Sequence, residues 1–283
     1  MRLHYAALIL VALSAPALAA PNAPNPKLSA TKARPGQALL VTVAGAEDAP
    51  TGKAGDAKLE FFKSKTGYQA VFAVPLDTKP GPLAVIVDDT KLTVDVQDVT
   101  FPEADVVVED EYANPGKAER EQIDADNQAI LKSFEAAAGP PQFTLAFQRP
   151  PGHVTSGFGE WRTFNDGHRS QHLGLDVTAR EGSRVRAINA GTVVLVRDCF
   201  LAGTVVVIAH GAGIASAYYH LSKTDVAEGD TVKRGQLIGR AGHTGRATGP
   251  HLHVSVRAHG GWVDPASFFK LAIAPARTAT ARR

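Results

Sequence analysis

GPHLHV, Gly249 to Val254, alternates imidazole and aliphatic side chains over four consecutive residues. In an extended strand successive side chains point to opposite faces, so His251 and His253 share one face while Leu252 and Val254 share the other. That alternation fits a half-buried strand in a β domain, with its aliphatic side turned to a core. The histidine side has two readings: a solvent face that happens to carry histidine, or a pair of nitrogen ligands or bases aimed into a site. The pair by itself leaves both open.

The distribution of histidine narrows the choice. Of the 10 histidines, only His4 lies outside the second half of the 283-residue chain. The stretch HLGLDV places His172 and Asp176 four residues apart with Gly174 between them. Taken as a strand, it turns positions 172, 174 and 176 to one side and Leu173, Leu175 and Val177 to the core, and the glycine leaves room for an ion. Two histidines, a carboxylate and an open fourth position form the pattern of a catalytic zinc site. YYHLS adds His220 at an expected strand end. Three ligands drawn from this set leave two histidines for proton transfer and charge stabilisation.

The remainder of the chain sets the frame. Lys+Arg 30 against Asp+Glu 28 gives a formal net charge of +2, which argues against a nucleic-acid binder with its concentrated basic excess. Arg2, the apolar run Ala6 to Leu13 and the small-x-small site Ala17-Leu18-Ala19 read as a cleaved signal, residues 1–19, so an exported protein of the periplasm or medium is expected. No later stretch reads as a membrane anchor, so no stable membrane insertion is expected after cleavage. The single cysteine, Cys199, excludes a disulfide framework and reads as a buried structural thiol.

Residues 20–111 read as an Ig-like β-sandwich: ALLVTVAG, YQAVFAV, LAVIVDD and KLTVDVQDV are short alternating strands separated by Gly, Pro and Asp turns. They contain no histidine, and no chemistry is assigned to them. Residues 112–142 read as a helical connector. Asn114 and Pro115 serve as N-cap and first turn, Ile123, Ile130, Leu131 and Phe134 form its apolar stripe, and Gly139-Pro140-Pro141 ends it. Residues 143–270 return to glycine-punctuated antiparallel hairpins, and 271–283 form a basic tail. The expected class is mainly β throughout.

Taken in order, SGFGEWR, HLGLD, YYHLS, GDTVKRGQLIGRAGHTG and GPHLHV resemble the lysostaphin/LytM family of zinc endopeptidases over roughly Gly152 to Asp264. The resemblance implies a C-terminal LytM-type peptidase domain with one zinc per chain, held by His172, Asp176 and His253. It makes His251 and His220 the unliganded catalytic histidines, without fixing which is the general base. It implies peptidoglycan as the partner and hydrolysis of amides in its cross-link peptides, with D-Ala–diaminopimelate favoured because the domain arrangement looks Gram-negative. The alternative within the family is a catalytically silent wall-binding activator of other hydrolases. A lipoyl- or biotinyl-type carrier, suggested by EGDTVKRGQLIG, leaves the histidines unexplained.

Weaker candidates are Arg162, read as orienting the site, binding a substrate carboxylate or forming a structural ion pair, and Tyr218. Two residues before His220, Tyr218 is expected on the same side of a strand, as a substrate donor or a groove wall. His210, ending the apolar run VVVIA at a glycine turn, reads as structural or supporting, and His168 as exposed.

Overall fold

A computed structural model describes residues 24–165 and 167–276; the expected signal segment and most of the basic tail lie outside the described residues. The N-terminal part is a sandwich of two sheets. One is ordered Asn25–Leu28, Ala38–Ala44, Gly67–Ala73, Phe62–Ser64, and the other is built on the hairpin Gly81–Val87 and Thr90–Val96. Between them lie Leu39, Val41, Val43, Phe72, Val85 and Val94, all buried.

The C-terminal part is built on a long antiparallel sheet. Its order is Val154–Ser156, Leu175–Thr178, His251–Ala258, Ile214–Thr224, Gly203–Gly211, Gly191–Cys199, Thr231–Val232. Short strands Arg184–Arg186 and Leu237–Ala241 pair with each other beside it, and the latter also bonds Ile214–Thr224. Along His251–Ala258 the residues Leu252, Val254 and Val256 are buried while His251 and His253 are half-buried, as the alternation requires. Among the described residues no helix is long and apolar enough to cross a membrane.

The two parts do not keep separate cores. Ala38–Ala44 is buried on both faces: Leu39, Val41 and Val43 fill the sandwich, whereas Ala38 and Leu40 join one cluster with Leu175, Val177, Leu252, Val254 and Phe268 of the C-terminal part. The contact is also polar. Arg34 pairs with buried Asp264 at 3.0 Å, the Ala38 amide donates to Ser267 Oγ at 2.9 Å, and Ser64 bridges to Pro275. The segment Glu103–Val106, expected inside the sandwich, instead runs parallel to Trp161–Phe164 of the C-terminal part.

The connector differs from expectation at its start. Asn114 does not cap the long helix: its side-chain amide donates to Asp110 Oδ1 at 2.7 Å, closing the short helix Asp110–Ala113. The long helix runs Lys117–Ser133 with Gly116 at its N-cap. Ile130 and Phe134 pack on Val205, Val207, Ala215 and Ala217, while Leu131 is 45% exposed. Buried Asp126 fixes the helix to the sheet by accepting from Arg197 Nε at 2.8 Å and from the Phe200 amide at 2.9 Å. Cys199 is buried as expected, its thiol pushed up to about 12 by desolvation and by Asp126.

Candidate metal centre

Asp176 and His253 are direct cross-strand partners in the antiparallel pair Leu175–Thr178 and His251–Ala258, with Thr178 opposite His251. Directly opposed residues share a face at close range, so register alone brings the carboxylate to the imidazole. His172 arrives differently. HLGLDV is not one strand: Arg169–Gln171 ends before it and Leu175–Thr178 begins after Gly174, leaving His172 on the connecting loop. Two backbone bonds pin that loop, Gly159 N–H to His172 O and His172 N–H to Glu160 O, each 2.8 Å. Gly174 serves close packing: a Cβ there would stand 2.4 Å from His253 Nε2 and 2.7 Å from the Val254 carbonyl oxygen.

The result is a compact three-atom cluster. Asp176 Oδ1 lies 2.7 Å from His253 Nδ1 and 3.1 Å from His172 Nε2, and the two ring nitrogens are 2.8 Å apart. The hydrogen-bond partners decide which atoms carry lone pairs. His172 Nδ1 sits 2.7 Å from the Gly157 carbonyl, an acceptor only, so Nδ1 is the protonated nitrogen and Nε2 is bare. Ser255 Oγ gives its proton to the Leu173 carbonyl at 2.8 Å and therefore accepts from His253 Nε2 at 3.0 Å, leaving Nδ1 bare. Two imidazole lone pairs and a carboxylate oxygen thus converge with no proton between them, which is the donor set of a divalent cation such as zinc. Burial pushes His253 down to about 4 against the pull of the Asp176 charge, which favours the bare nitrogen.

Asp176 is supported from behind. Its second oxygen, Oδ2, accepts from Arg162 Nη2 at 2.7 Å; Arg162 also reaches Ser156 Oγ at 2.8 Å and Glu160 Oε1 at 3.1 Å. The geometry commits Arg162 to the Asp176 carboxylate and to Glu160, an arrangement that suits both an orienting residue and a structural ion pair. Such outer partners fix the direction and charge of a ligand.

His251 and His220 face the same cluster, their rings 4.9 Å apart, with His251 Nε2 3.8 Å from Asp176 Oδ1. Each spends Nδ1–H on a backbone carbonyl, Gly249 for His251 and Thr244 for His220, both at 2.8 Å, so each offers a bare Nε2. Burial, reinforced by His251 and His253, pushes His220 down to about 3.

The expected side of Tyr218 is corrected. Its hydroxyl is fully buried, accepting from the Ile188 amide at 2.8 Å and lying 3.1 Å from Ser216 Oγ. The register of Ile214–Thr224 shifts next to His220, which has φ 59°, a left-handed backbone inside the strand rather than at its end. Alternation breaks there, so His220 shares its side with Tyr219, whose ring stands edge-on to His253 at 4.8 Å. Tyr219, Ser156, Glu160 and Ser255 were not found from sequence. Ser255 was within reach, since HLHVS continues the alternation by one more step. His210 is structural as expected, fully buried on Gly203–Gly211. His168 is exposed and stacks on Phe164 at 6.3 Å.

Comparison with known proteins places this geometry. Residues 170–265, which include all five clustered residues, match Peptidase family M23. Over 120 residues the chain is 41% identical to peptidoglycan DD-endopeptidase ShyA of Vibrio cholerae, covering 41% of this chain and 28% of that protein. Over 96 residues it is 42% identical to DD-carboxypeptidase/endopeptidase Mpg of Neisseria meningitidis, covering 34% of this chain and 22% of that one. The chain thus spans about a quarter of the length of these curated relatives. A crystal structure assigned to peptidase M23 from Pseudomonas aeruginosa superposes with TM-score 0.66 at 28% identity, covering 83% of this chain and 94% of that one.

Proposed function

We propose that this chain, which carries a Peptidase family M23 domain at residues 170–265, is an exported zinc metalloendopeptidase. Its substrate is an amide bond in peptidoglycan cross-link peptides, D-Ala–diaminopimelate in particular. The observation that carries the reading is the convergence of three unprotonated donor atoms of His172, Asp176 and His253 beside two further histidines with bare Nε2 atoms. The names of the curated relatives support the substrate, and a wall substrate in turn requires export.

His172, Asp176 and His253 would hold the zinc, which would supply a Lewis acid for the scissile carbonyl and for a water molecule. The chain's own residues move the protons. His251 Nε2 takes one proton from the attacking water as its oxygen bonds to the carbonyl carbon. When the carbon–nitrogen bond breaks, that proton passes from His251 to the leaving amine, and the new acid loses its remaining proton to solvent. His220, with Nδ1–H tied to Thr244, stays a neutral acceptor and orients the water through Nε2.

The test is digestion of purified sacculi by the protein, with products identified by mass spectrometry. Parallel reactions contain chelator, chelator followed by zinc, and the His253→Ala variant. Cross-linked fragments are expected to become monomers only with zinc and intact His253, and the masses name the bond. Sacculus binding without cleavage in every reaction would overturn the reading in favour of a silent activator.

A further inference from the structure

The cluster opens on one side into a cavity of about 510 Å³ whose wall includes His251 and its neighbour Leu252. From there it runs past Thr178 to the short strand Arg184–Arg186 and back to Arg149. Four arginines line it, Arg149, Arg180, Arg184 and Arg186, and no aspartate or glutamate does. All four are exposed.

Two features separate this charge from an ordinary solvated surface. Arg149 and Arg186 are tied to the backbone carbonyls of Gly152 and Gly235, each at 2.8 Å, which sets their side chains without neutralising them. Arg180 and Arg184 make no ion pair among the described residues. Moreover, Arg184 lies directly across from Arg240 in the pair Arg184–Arg186 and Leu237–Ala241. Like charges directly opposed across strands are unfavourable. Asp225, 3.5 Å from Arg240 Nε, answers only one of the two. The fold therefore tolerates concentrated, partly uncompensated positive charge at the mouth of its candidate catalytic cluster. Such a groove raises the local concentration of an anionic ligand, and a guanidinium presents a fork matched to a carboxylate.

We propose that this groove is a specificity subsite that binds the carboxylates of an acidic peptide running away from His251, with Arg180 and Arg184 as its principal contacts. The inference rests on the peptidase reading and names what the enzyme selects beside the scissile bond: peptide stems with free carboxylates over stems with amidated ones.

The probe is a dansyl-labelled tetrapeptide stem, Ala-γ-D-Glu-diaminopimelate-D-Ala, which an endopeptidase of this kind leaves uncut, used as the free acid and as the fully amidated form. Anisotropy titrations use the full chain, the Arg180→Gln/Arg184→Gln variant, and a Lys58→Gln/Lys91→Gln control that removes the same charge from the distant sandwich. The free acid is expected to bind the unsubstituted chain roughly tenfold or more tightly than the amide, with the preference shrinking as NaCl is raised. The double arginine variant should lose that preference while keeping its melting temperature, and the lysine control should keep it. Equal binding of the two forms, or a preference that survives loss of both arginines, overturns the proposal. Sacculus digestion by the same samples keeps the two readings apart. A preference without cleavage leaves the subsite and removes the peptidase, whereas cleavage without preference does the reverse.

Discussion

His210 and His253 lie in the same sheet, one fully buried and the other half-buried, and burial pushes both down to about 4. They differ in what their second nitrogen does. His210 is closed on both sides: Nδ1–H goes to the Ala190 carbonyl at 2.7 Å, Nε2 meets Ser216 Oγ at 2.8 Å, and Phe147 covers the ring edge-on. His253 gives Nε2–H to Ser255 and turns its other nitrogen toward two more acceptors. Burial and a depressed pKa therefore do not separate a histidine closed on both sides from one that faces the cluster. An unspent lone pair that meets other unspent lone pairs does.

The contrast can be broken most severely at Gly174. In Gly174→Ala the new methyl displaces the His253 ring, and cleavage is expected to fall by about 100-fold or more, since a 1 Å misplacement can cost that much. Zinc content by plasma mass spectrometry should fall with it while circular dichroism stays native; full activity would show that the ring position does not matter. Arg162→Gln leaves the three donor atoms in place but removes the cation behind Asp176 Oδ2. Zinc affinity, read by competition with a chromophoric chelator, should weaken roughly 10- to 100-fold.

His210 sharpens the other side of the comparison. Its neutral form contributes stability that is complete above the ordinary histidine value near 6.5 and is lost as pH falls toward about 4, because the unfolded chain takes up the proton first. The loss across that window is on the order of 3 kcal/mol. In urea titrations the stability gap between the native chain and His210→Gln should shrink between pH 7.5 and pH 4.5; an unchanged gap contradicts the assignment. The smallest effect is expected for Tyr218→Phe. It strands the Ile188 amide at a cost of about 1–3 kcal/mol but leaves KM for a cross-linked peptide unchanged. A raised KM would return Tyr218 to the substrate groove.

What the sequence made legible follows from periodicity. His251 and His253 obey strand alternation, and their aliphatic partners are buried as that pattern demands. HLGLDV supplies two of the three clustered residues, but from a loop and a strand and not from one strand, and its glycine makes room for the His253 ring. Tyr218 was misplaced because one left-handed residue, His220, reverses the facing of everything before it, and no local signal marks that break. Asn114 before Pro115 has the composition of a cap, yet its amide was already committed one turn back. Arg162 was ambiguous because ion-pair partners brought together by folding leave no spacing to read.

The strand Ala38–Ala44 has one face in each half of the protein. It is a party wall, and a party wall cannot be assigned to one tenant. A C-terminal half cut free before Phe143 would present the undersides of Leu175, Val177 and Leu252 to water, so grafting that half onto another scaffold means carrying its wall along. The same wall ties the two halves through one buried strand, so a movement of one against the other would have to break the packing of Ala38 and Leu40 on Leu175, Val177 and Leu252.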